Sequence, residues 1–302
     1  MTDDDMDFTK PLASQPAASA PFKAAQSRFY DKAVAERIFR EVGREERFEP
    51  NALVFEEDQK AAGGLFRKAA SRMYYLAQGE VALSIGGRLL DTLKGGEVFG
   101  EMAVITGQPR SATATARSSV LAYSLDQAQL QGALGNSPEF ALMLASVMYD
   151  RLRFLAARLA AKPRAAGVAA REATVFEPAL VAQLVATLPR TAIVRWRQQE
   201  IIFKEGQSGT FMYLVKSGRV AIAVGGNVVE VVGPGGTFGE MAVVDQSPRT
   251  ARAGTLEESE LLAIDRATLV ELVKKQPAFA MALLRGIAER LRFMNSQLMA
   301  SA

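Results

Sequence analysis

The chain has 302 residues, of which 49% are hydrophobic and 23% are charged, and it contains neither cysteine nor histidine. This length is enough for two ordinary domains, but without thiols and imidazoles it cannot form a disulfide framework, a haem or zinc site of the usual kind, an iron–sulfur cluster, or a histidine- or cysteine-based catalytic unit. The net charge of +3 is too small for the field with which proteins attract nucleic-acid backbones.

The chain begins with an acidic segment and then a stretch rich in proline, alanine and serine that lacks apolar periodicity. This composition predicts a flexible tail over residues 1–29. Charged residues interrupt every apolar run well before the roughly 18 residues that a membrane span needs, and no hydrophobic segment of a secretory signal follows the start. The sequence therefore predicts no membrane span and a cytoplasmic location.

The remainder of the chain contains an internal repeat. The hexapeptide FGEMAV occurs at residues 99–104 and again at residues 238–243, so that the two copies are 139 residues apart. Other identical residues keep this offset through both halves, which indicates a duplicated domain, because the period is too long for a solenoid repeat. Identical positions at this offset include Gly79 and Gly218, Pro109-Arg110 and Pro248-Arg249, Asp126 and Asp265, and Leu152-Arg153 and Leu291-Arg292.

Each copy has short strands followed by helices. Runs rich in valine, isoleucine and aromatic residues, such as 212–224 and 227–232, are separated by glycine-containing turns and predict antiparallel strands. After Asp126 and Asp265 the apolar spacing becomes helical. We therefore predict an α+β fold. The predicted divisions are a tail at 1–29, a first domain at 30–160, a linker at 161–175 and a second domain at 176–302.

The last helix of each copy has an apolar stripe with the spacing of a coiled coil. This stripe is compatible with packing against the strands of its own copy, with pairing of the two copies in one chain, or with a homodimer through these helices. Sequence alone leaves the three alternatives open. The stripes consist of Leu144, Met148, Leu152, Leu155 and Leu159 in the first copy and of Leu283, Ile287, Leu291, Met294 and Leu298 in the second.

The two copies differ in one loop. Between Phe55 and Met73 the first copy has nine more residues than the second copy has between Phe203 and Met212. The insert is basic, which is compatible with a solvated loop or with a contact surface for a partner. Its cationic residues include Arg67, Lys68 and Arg72.

The repeated motif has the residue types of an anion site. In each copy a glycine precedes Glu-Met-Ala, and an arginine follows nine residues after the glutamate. The glycine lets backbone approach a ligand, and the amides after it can point at an anion. The arginine can form a bidentate pair with phosphate oxygens, and the neighbouring hydroxyl can donate one more hydrogen bond. The glutamate only accepts hydrogen bonds and suits sugar hydroxyls. The motif therefore predicts a nucleotide pocket.

The segments FGEMA…PRSATA and FGEMA…PRTARA resemble the phosphate-binding cassette of cyclic nucleotide-binding domains, a family that includes catabolite activator protein and the regulatory subunits of cyclic-AMP-dependent kinase. The resemblance implies a β jelly roll of eight strands with flanking helices in each copy. It also implies that the glutamate binds the ribose and that the arginine binds the cyclic phosphate. The ligand-binding residues expected from it are Phe99, Gly100, Glu101, Met102, Ala103, Arg110, Ser111 and Ala112, and Phe238, Gly239, Glu240, Met241, Ala242, Arg249, Thr250 and Ala251.

The base is less defined by the sequence. The resemblance implies that a hydroxyl after the cassette arginine, here Ser111 or Thr250, can contact guanine, but members that respond to cAMP carry such hydroxyls as well. We favour cAMP and keep cGMP open. The last helices offer further base contacts, for which ordinary surface or packing roles are the alternative. These candidates are Tyr149, Arg153, Arg292 and Asn295.

The sequence thus predicts a cytoplasmic receptor with two cyclic-nucleotide sites that relays binding through its C-terminal helices to an effector protein. We expect no enzymatic activity, no metal, and no cofactor apart from the ligand, cAMP or cGMP. We also expect no direct DNA binding, because a helix-turn-helix module would need roughly 50 more residues after the last helix. The alternative is a scaffold or regulatory subunit that uses the same fold for protein contacts without a ligand.

Overall fold

A computed structural model of the chain describes residues 30–58, 63–64, 67–68, 71–160, 171–173 and 176–300. The predicted tail lies outside the described residues, as does most of the predicted linker. Within the described ranges, no helix combines the length and the apolar character that crossing a membrane requires.

The first half begins with a helix, continues with strands and ends with helices. In chain order its elements are α1 (Lys32–Val42), β1 (Arg44–Phe48), β2 (Leu53–Phe55), β3 (Gly63–Gly64), β4 (Arg67–Lys68), β5 (Met73–Gln78), β6 (Glu80–Ile85), β7 (Arg88–Lys94), β8 (Val98–Phe99), α2 (Glu101–Thr106), β9 (Thr113–Ala116), β10 (Val120–Leu125), α3 (Gln127–Asn136) and α4 (Glu139–Ala160).

The second half repeats this order after one additional strand. Its elements are β11 (Arg171–Ala173), α5 (Pro178–Thr187), a short 3-10 helix (Arg190–Ala192), β12 (Ile193–Trp196), β13 (Ile201–Phe203), β14 (Phe211–Ser217), β15 (Val220–Val224), β16 (Asn227–Val232), β17 (Thr237–Phe238), α6 (Glu240–Asp245), β18 (Arg252–Thr255), β19 (Ser259–Asp265), α7 (Arg266–Lys275) and α8 (Pro277–Ala300).

Eight strands of the first half form two antiparallel sheets with the orders β1-β10-β5-β8 and β2-β9-β6-β7. The second half has the matching sheets β12-β19-β14-β17 and β16-β15-β18-β13. In each half an apolar core that contains residues of both sheets lies between them. This arrangement confirms the expectation of an α+β chain with two tandem β jelly rolls and flanking helices.

Two details differ from a simple reading of the sequence. The consecutive strands β14 and β15 are not paired with each other, because the chain passes from one sheet to the other at Gly218, whose φ is 88°. In addition, β11 lies within the predicted linker and pairs in parallel with β16 at the edge of the second domain's sheet. Part of that segment is therefore ordered against the second domain.

The helices of both halves share one core. Helices α4 and α8 pack against each other, α8 contacts α2, and α4 contacts α6. Helix pairing therefore takes place within the chain, which is one of the three alternatives that the apolar stripes left open. The side chains of Leu159 and Leu298 lie outside the described residues. The stripe residues buried in this core are Leu144, Met148, Leu152, Leu155, Leu283, Ile287 and Leu291.

Aspartates start the helices that follow the strands. The carboxylate of Asp126 accepts from the backbone N–H of Gln129, whose side chain accepts in return from the Asp126 N–H. Asp265 caps α7 in the same way through the N–H of Thr268. Each cap satisfies an amide that the first turn of a helix leaves unpaired, which explains why the helical pattern begins after these two residues.

Candidate functional site

The cassette glycines hold the backbone in a conformation that other residues rarely adopt. Gly100 and Gly239 have φ values of 74° and 78° and immediately precede the short helices α2 and α6. A Cβ added at Gly100 would lie 3.0 Å from Nη1 of Arg110, and one at Gly239 would lie 2.6 Å from Nη1 of Arg249. Glycine is therefore required both by the backbone and by the close approach of the arginine.

The cassette arginines have nearly the same surroundings in both copies. The Cζ atom of Arg110 lies 4.0 Å from the ring centre of Phe55, and that of Arg249 lies 4.0 Å from the ring centre of Phe203. Each arginine is only 6% exposed. Burial lowers the pKa of both guanidinium groups. Each group is thus a buried cation held over an aromatic face.

The hydrogen bonds of the two arginines differ. Nη1 of Arg110 donates to the Gly100 oxygen at 3.0 Å, and within the described residues its Nε and Nη2 have no hydrogen-bond partner. Arg249 donates from Nη1 to the Gly239 oxygen at 2.7 Å and from Nη2 to the Phe211 oxygen at 2.6 Å. The Nε–Nη2 edge, which can hold two oxygens of one anion, is therefore open only on Arg110 within the described part of the chain.

Neither cassette arginine forms an ion pair with a carboxylate of the described residues. A buried charge without a countercharge is costly. Two such guanidinium groups, both next to left-handed glycine turns, are therefore well suited to an anionic ligand, which would supply the missing charge.

Each cassette glutamate is held by an arginine of the last helix in its own domain. Glu101 is buried, and its Oε1 lies 2.6 Å from Nη1 of Arg151, which also donates to the Val98 oxygen. Burial opposes the charge of Arg151, but the attraction of Glu101 leaves its pKa raised. Because this ion pair fixes the carboxylate, Glu101 is positioned to accept hydrogen bonds from a ligand with its remaining lone pairs.

In the second domain the equivalent pair is part of a larger buried group. Arg290 lies 3.0 Å from Glu240 and 3.1 Å from Glu230, and it also donates to the Thr237 oxygen. The Thr237 hydroxyl donates to Glu240 as well. All four residues are buried, so this network fixes the ribose-acceptor candidate from three sides.

The sequence interpretation missed Arg151 and Arg290 as partners of the cassette glutamates. A signal for them was present, because the two arginines are 139 residues apart and begin the identical tetrapeptide RLRF in both last helices. What the sequence could not give is the distance between this helix and the cassette, which depends on how α4 and α8 pack.

A cavity of about 510 Å³ opens on the cassette of the first domain. Its size lies in the range of about 300–1,000 Å³ that is usual for small-ligand sites. Strand residues of the first jelly roll, among them Leu83 and Thr92, form the wall beside the cassette. The predicted ligand residues that line it are Gly100, Glu101, Met102, Ala103, Arg110, Ser111, Ala112 and Asn295.

Several predicted ligand residues lie elsewhere. Phe99 and Phe238 are buried in the aromatic cores of the jelly rolls, where they stack on Tyr74 and Tyr213 with ring centres 5.1 and 5.2 Å apart. Their rings support the cassette from behind, because the strand that precedes each glycine directs them between the sheets. We correct their assignment from direct ligand contacts to support of the cassette.

The base-contact candidates separate into two groups. Tyr149 is fully buried in the shared helical core, and Arg153 pairs with Asp150 of its own helix, so neither lines the first domain's cavity. Arg292 donates to the backbone oxygen of Pro109, and Asn295 lines the cavity. The first domain's cavity thus receives Asn295 from the second domain.

The hydroxyls after the cassette arginines are weakly engaged. Ser111 donates to Sδ of Met102 at 3.5 Å, and Thr250 donates to Sδ of Met241 at 3.6 Å. Thioether sulfur is a weak acceptor. Both hydroxyls can therefore exchange this contact for one to a ligand.

The insert of the first copy is anchored at one end. Arg72 donates to the side chain and the backbone oxygen of Ser124 and to the side chain of Gln129. This residue therefore belongs to the structure of its own domain and is unavailable as part of a partner surface. The side chains of Arg67 and Lys68 lie outside the described residues.

Relatives of known function support the nucleotide assignment. Over 127 residues the chain is 34% identical to a CRP-like cAMP-activated global transcriptional regulator of Mycobacterium tuberculosis, a match that covers 40% of this chain and 55% of the relative. Over 100 residues it is 38% identical to the cyclic AMP receptor protein of Thermus thermophilus, which covers 32% of this chain and 46% of the relative. The chain thus spans about half the length of each of these curated relatives.

Among solved structures, the regulatory domain of Toxoplasma gondii PKA with cAMP is 18% identical, with 90% of this chain and 97% of that chain covered and a TM-score of 0.30. The catabolite activator protein of Thermus thermophilus is 32% identical, with 39% and 62% covered and a TM-score of 0.34. The family model for the cyclic nucleotide-binding domain matches residues 45–137 and 193–276, which together make up more than half of the chain. The chain therefore belongs to the cyclic nucleotide-binding domain family, with one copy in each half.

Proposed function

We propose that this protein is a cyclic-nucleotide receptor with one site in each domain, and that it relays occupancy of these sites to an effector protein through its C-terminal helices. The matched family is regulatory, and we propose no catalytic activity for this chain. We also keep the proposed domain boundaries at 30–160 and 176–302.

The observation that carries this proposal is the pair of buried cassette arginines without a carboxylate partner in the described residues. A cyclic phosphate supplies the missing negative charge and accepts charge-assisted hydrogen bonds. Next to each arginine, a glutamate fixed by Arg151 or Arg290 offers acceptors for the ribose hydroxyl. An anion acceptor and a sugar acceptor side by side describe the polar edge of a nucleoside cyclic phosphate.

We propose cAMP as the preferred base, supported by the bacterial relatives whose names refer to cAMP. The alternative is cGMP, because the Ser111 and Thr250 hydroxyls are held only by methionine sulfur and are able to bind a guanine amino group. Parallel titrations with the two nucleotides separate these alternatives.

The second candidate function is a scaffold that uses the fold for protein contacts without any ligand. Its support is the internal packing of α4 on α8, which forms a continuous core without a ligand. This candidate predicts no binding of either nucleotide.

The test is isothermal titration calorimetry of the full chain with cAMP and with cGMP. We expect two binding events with dissociation constants in the micromolar range or tighter. Arg110→Ala and Arg249→Ala should each remove one event, and the double variant should remove both. Arg117→Ala serves as the matched control, because Arg117 is an exposed arginine of the first domain outside the cassette.

If wild-type protein binds neither nucleotide, the receptor proposal is wrong and the scaffold is favoured. If binding survives in the double variant, the cassette is not the site. Incubation of the protein with cAMP should give no 5′-AMP, and its appearance would contradict the non-enzymatic role.

A further inference from the structure

Helix α8 belongs to the second domain, yet it forms part of the wall of the first domain's cavity. Leu291 and Asn295 line this cavity. Arg292, which lies between them, donates from Nη2 to the backbone oxygen of Pro109, the residue before Arg110. The position of α8 therefore affects both the wall of the first site and the loop that presents its arginine.

Asn295 brings an unsatisfied polar atom to this wall. Its Oδ1 is buried and has no hydrogen-bond partner within the described residues. Buried polar atoms are normally paired, and a nucleotide base with N–H groups on its edge can supply the missing donor. At the equivalent position of α4 the chain carries Ala156, so α4 cannot offer the second site a matching amide.

The same turns of α8 hold the cassette of the second domain. Arg290, adjacent to Leu291, contacts Glu240 at 3.0 Å and Glu230 at 3.1 Å. Arg290 is 8% exposed, and its bonds to both carboxylates and to the Thr237 oxygen leave it little freedom to move. Residues 290–295 thus connect the ribose acceptor of one site with the wall of the other over less than two helical turns.

We propose that residues 290–295 of α8 couple the two sites, so that a nucleotide bound in one domain raises the affinity of the other. This inference rests on the proposed function. A ligand in the first site contacts the α8 wall and stabilises its packed position, in which Arg290 also holds Glu240 ready for ribose. Because both sites use the same position of one rigid helix, each ligand favours the state that the other requires.

The experiment compares overall binding with single-site binding, in the full chain and by calorimetry with cAMP. Arg249→Ala gives the constant of the first site alone, and Arg110→Ala gives that of the second. The coupling factor is the overall two-site constant of the wild type divided by the product of these two constants. We expect a factor of about five or more.

The route through α8 is tested by measuring this factor in the Arg292→Ala background, where it should fall to about one while both sites still bind. Asn295→Ala, which introduces the residue found in α4, provides a second variant if Arg292→Ala does not fold, and it should also reduce the factor. The matched control is Arg285→Ala, an exposed arginine on the same helix, which should keep the wild-type factor.

Two binding events with a factor of one or below would overturn the coupling and leave the receptor function standing. A large factor that persists in both the Arg292→Ala and the Asn295→Ala backgrounds would overturn the route through α8. Absence of any binding in the wild type would overturn the receptor function, and the coupling with it.

Discussion

The two domains build their cassettes in the same way but fix them to different degrees. In both, a tyrosine and a phenylalanine stack behind the cassette, with ring centres 5.1 Å apart in the first domain and 5.2 Å in the second. Both cassette arginines lie 4.0 Å above a phenylalanine ring. The apolar support of the motif is therefore duplicated almost without change.

The polar surroundings are not duplicated. In the first domain, Glu101 is paired with Arg151, whose side chain is 26% exposed. In the second, Glu240 shares the fully buried Arg290 with Glu230. One motif can thus be placed in two electrostatic settings, and the setting decides how readily each site accepts a ligand and how much each ion pair contributes to stability.

The largest expected effect is on stability. Arg290→Ala leaves two buried carboxylates facing each other without a cation, which should cost about 3–5 kcal/mol. Arg151→Ala should cost less, about 1–3 kcal/mol, because water can reach the space that the half-buried arginine leaves. Urea unfolding, followed by circular dichroism and by the fluorescence of the single tryptophan, Trp196 of the second domain, measures both losses.

Two controls separate charge from packing. Arg290→Met keeps most of the volume but removes the cation, so it should lose nearly as much stability as Arg290→Ala. Arg285→Ala, at an exposed position of α8, should change stability by less than about 0.5 kcal/mol. Equal losses for Arg151→Ala and Arg290→Ala would contradict the difference between the two settings.

The second effect concerns a loop that only the second domain has in this form. A Cβ at Gly209 would lie 2.4 Å from Cζ of Arg249. Gly209→Ala should therefore push the guanidinium away from its anion position and weaken the second site by roughly fivefold or more, since overpacking of this kind costs about 1–3 kcal/mol. The first site should lose affinity only through coupling. Calorimetric titration of the variant with cAMP provides the measurement.

Gly233→Ala is the matched control for this change, because nothing lies within 4 Å of a Cβ at Gly233. Unchanged affinity of the second site in Gly209→Ala would show that Arg249 does not need its observed position to bind.

Much of this fold follows from the sequence, and the reasons are local. The repeat at an offset of 139 residues locates both cassettes, and Asp126 and Asp265 predict the helix starts because capping depends on three adjacent residues. The α4–α8 pairing does not follow, since an apolar stripe fits several partners equally well. For the same reason, the position of Asn295 in the other domain's cavity could not be read from the sequence.

The third expected effect is a difference in affinity between the two sites. To offer its Nε–Nη2 edge to a phosphate, Arg249 must first give up the hydrogen bond from Nη2 to the Phe211 oxygen, whereas no described group occupies that edge of Arg110. Because one such bond contributes about 0.5–1.5 kcal/mol, the first site should bind roughly two- to tenfold more tightly. The Arg249→Ala and Arg110→Ala variants report the two affinities separately, and tighter binding by the second site would contradict this interpretation.

The smallest expected effect compares the helices that follow the strands. Helix α3 carries Gly132 at an exposed interior position, where α7 carries Glu271. Nothing lies within 4 Å of a Cβ at Gly132, and glycine in a helix costs about 0.5–1 kcal/mol relative to alanine. Gly132→Ala should therefore stabilise the first domain by about this amount in thermal unfolding followed by circular dichroism. Gly87→Ala meets the same open space but has a φ of 75°, so it should destabilise by about 1 kcal/mol; a loss of stability in Gly132→Ala would mean that α3 is limited by something other than the freedom of its backbone.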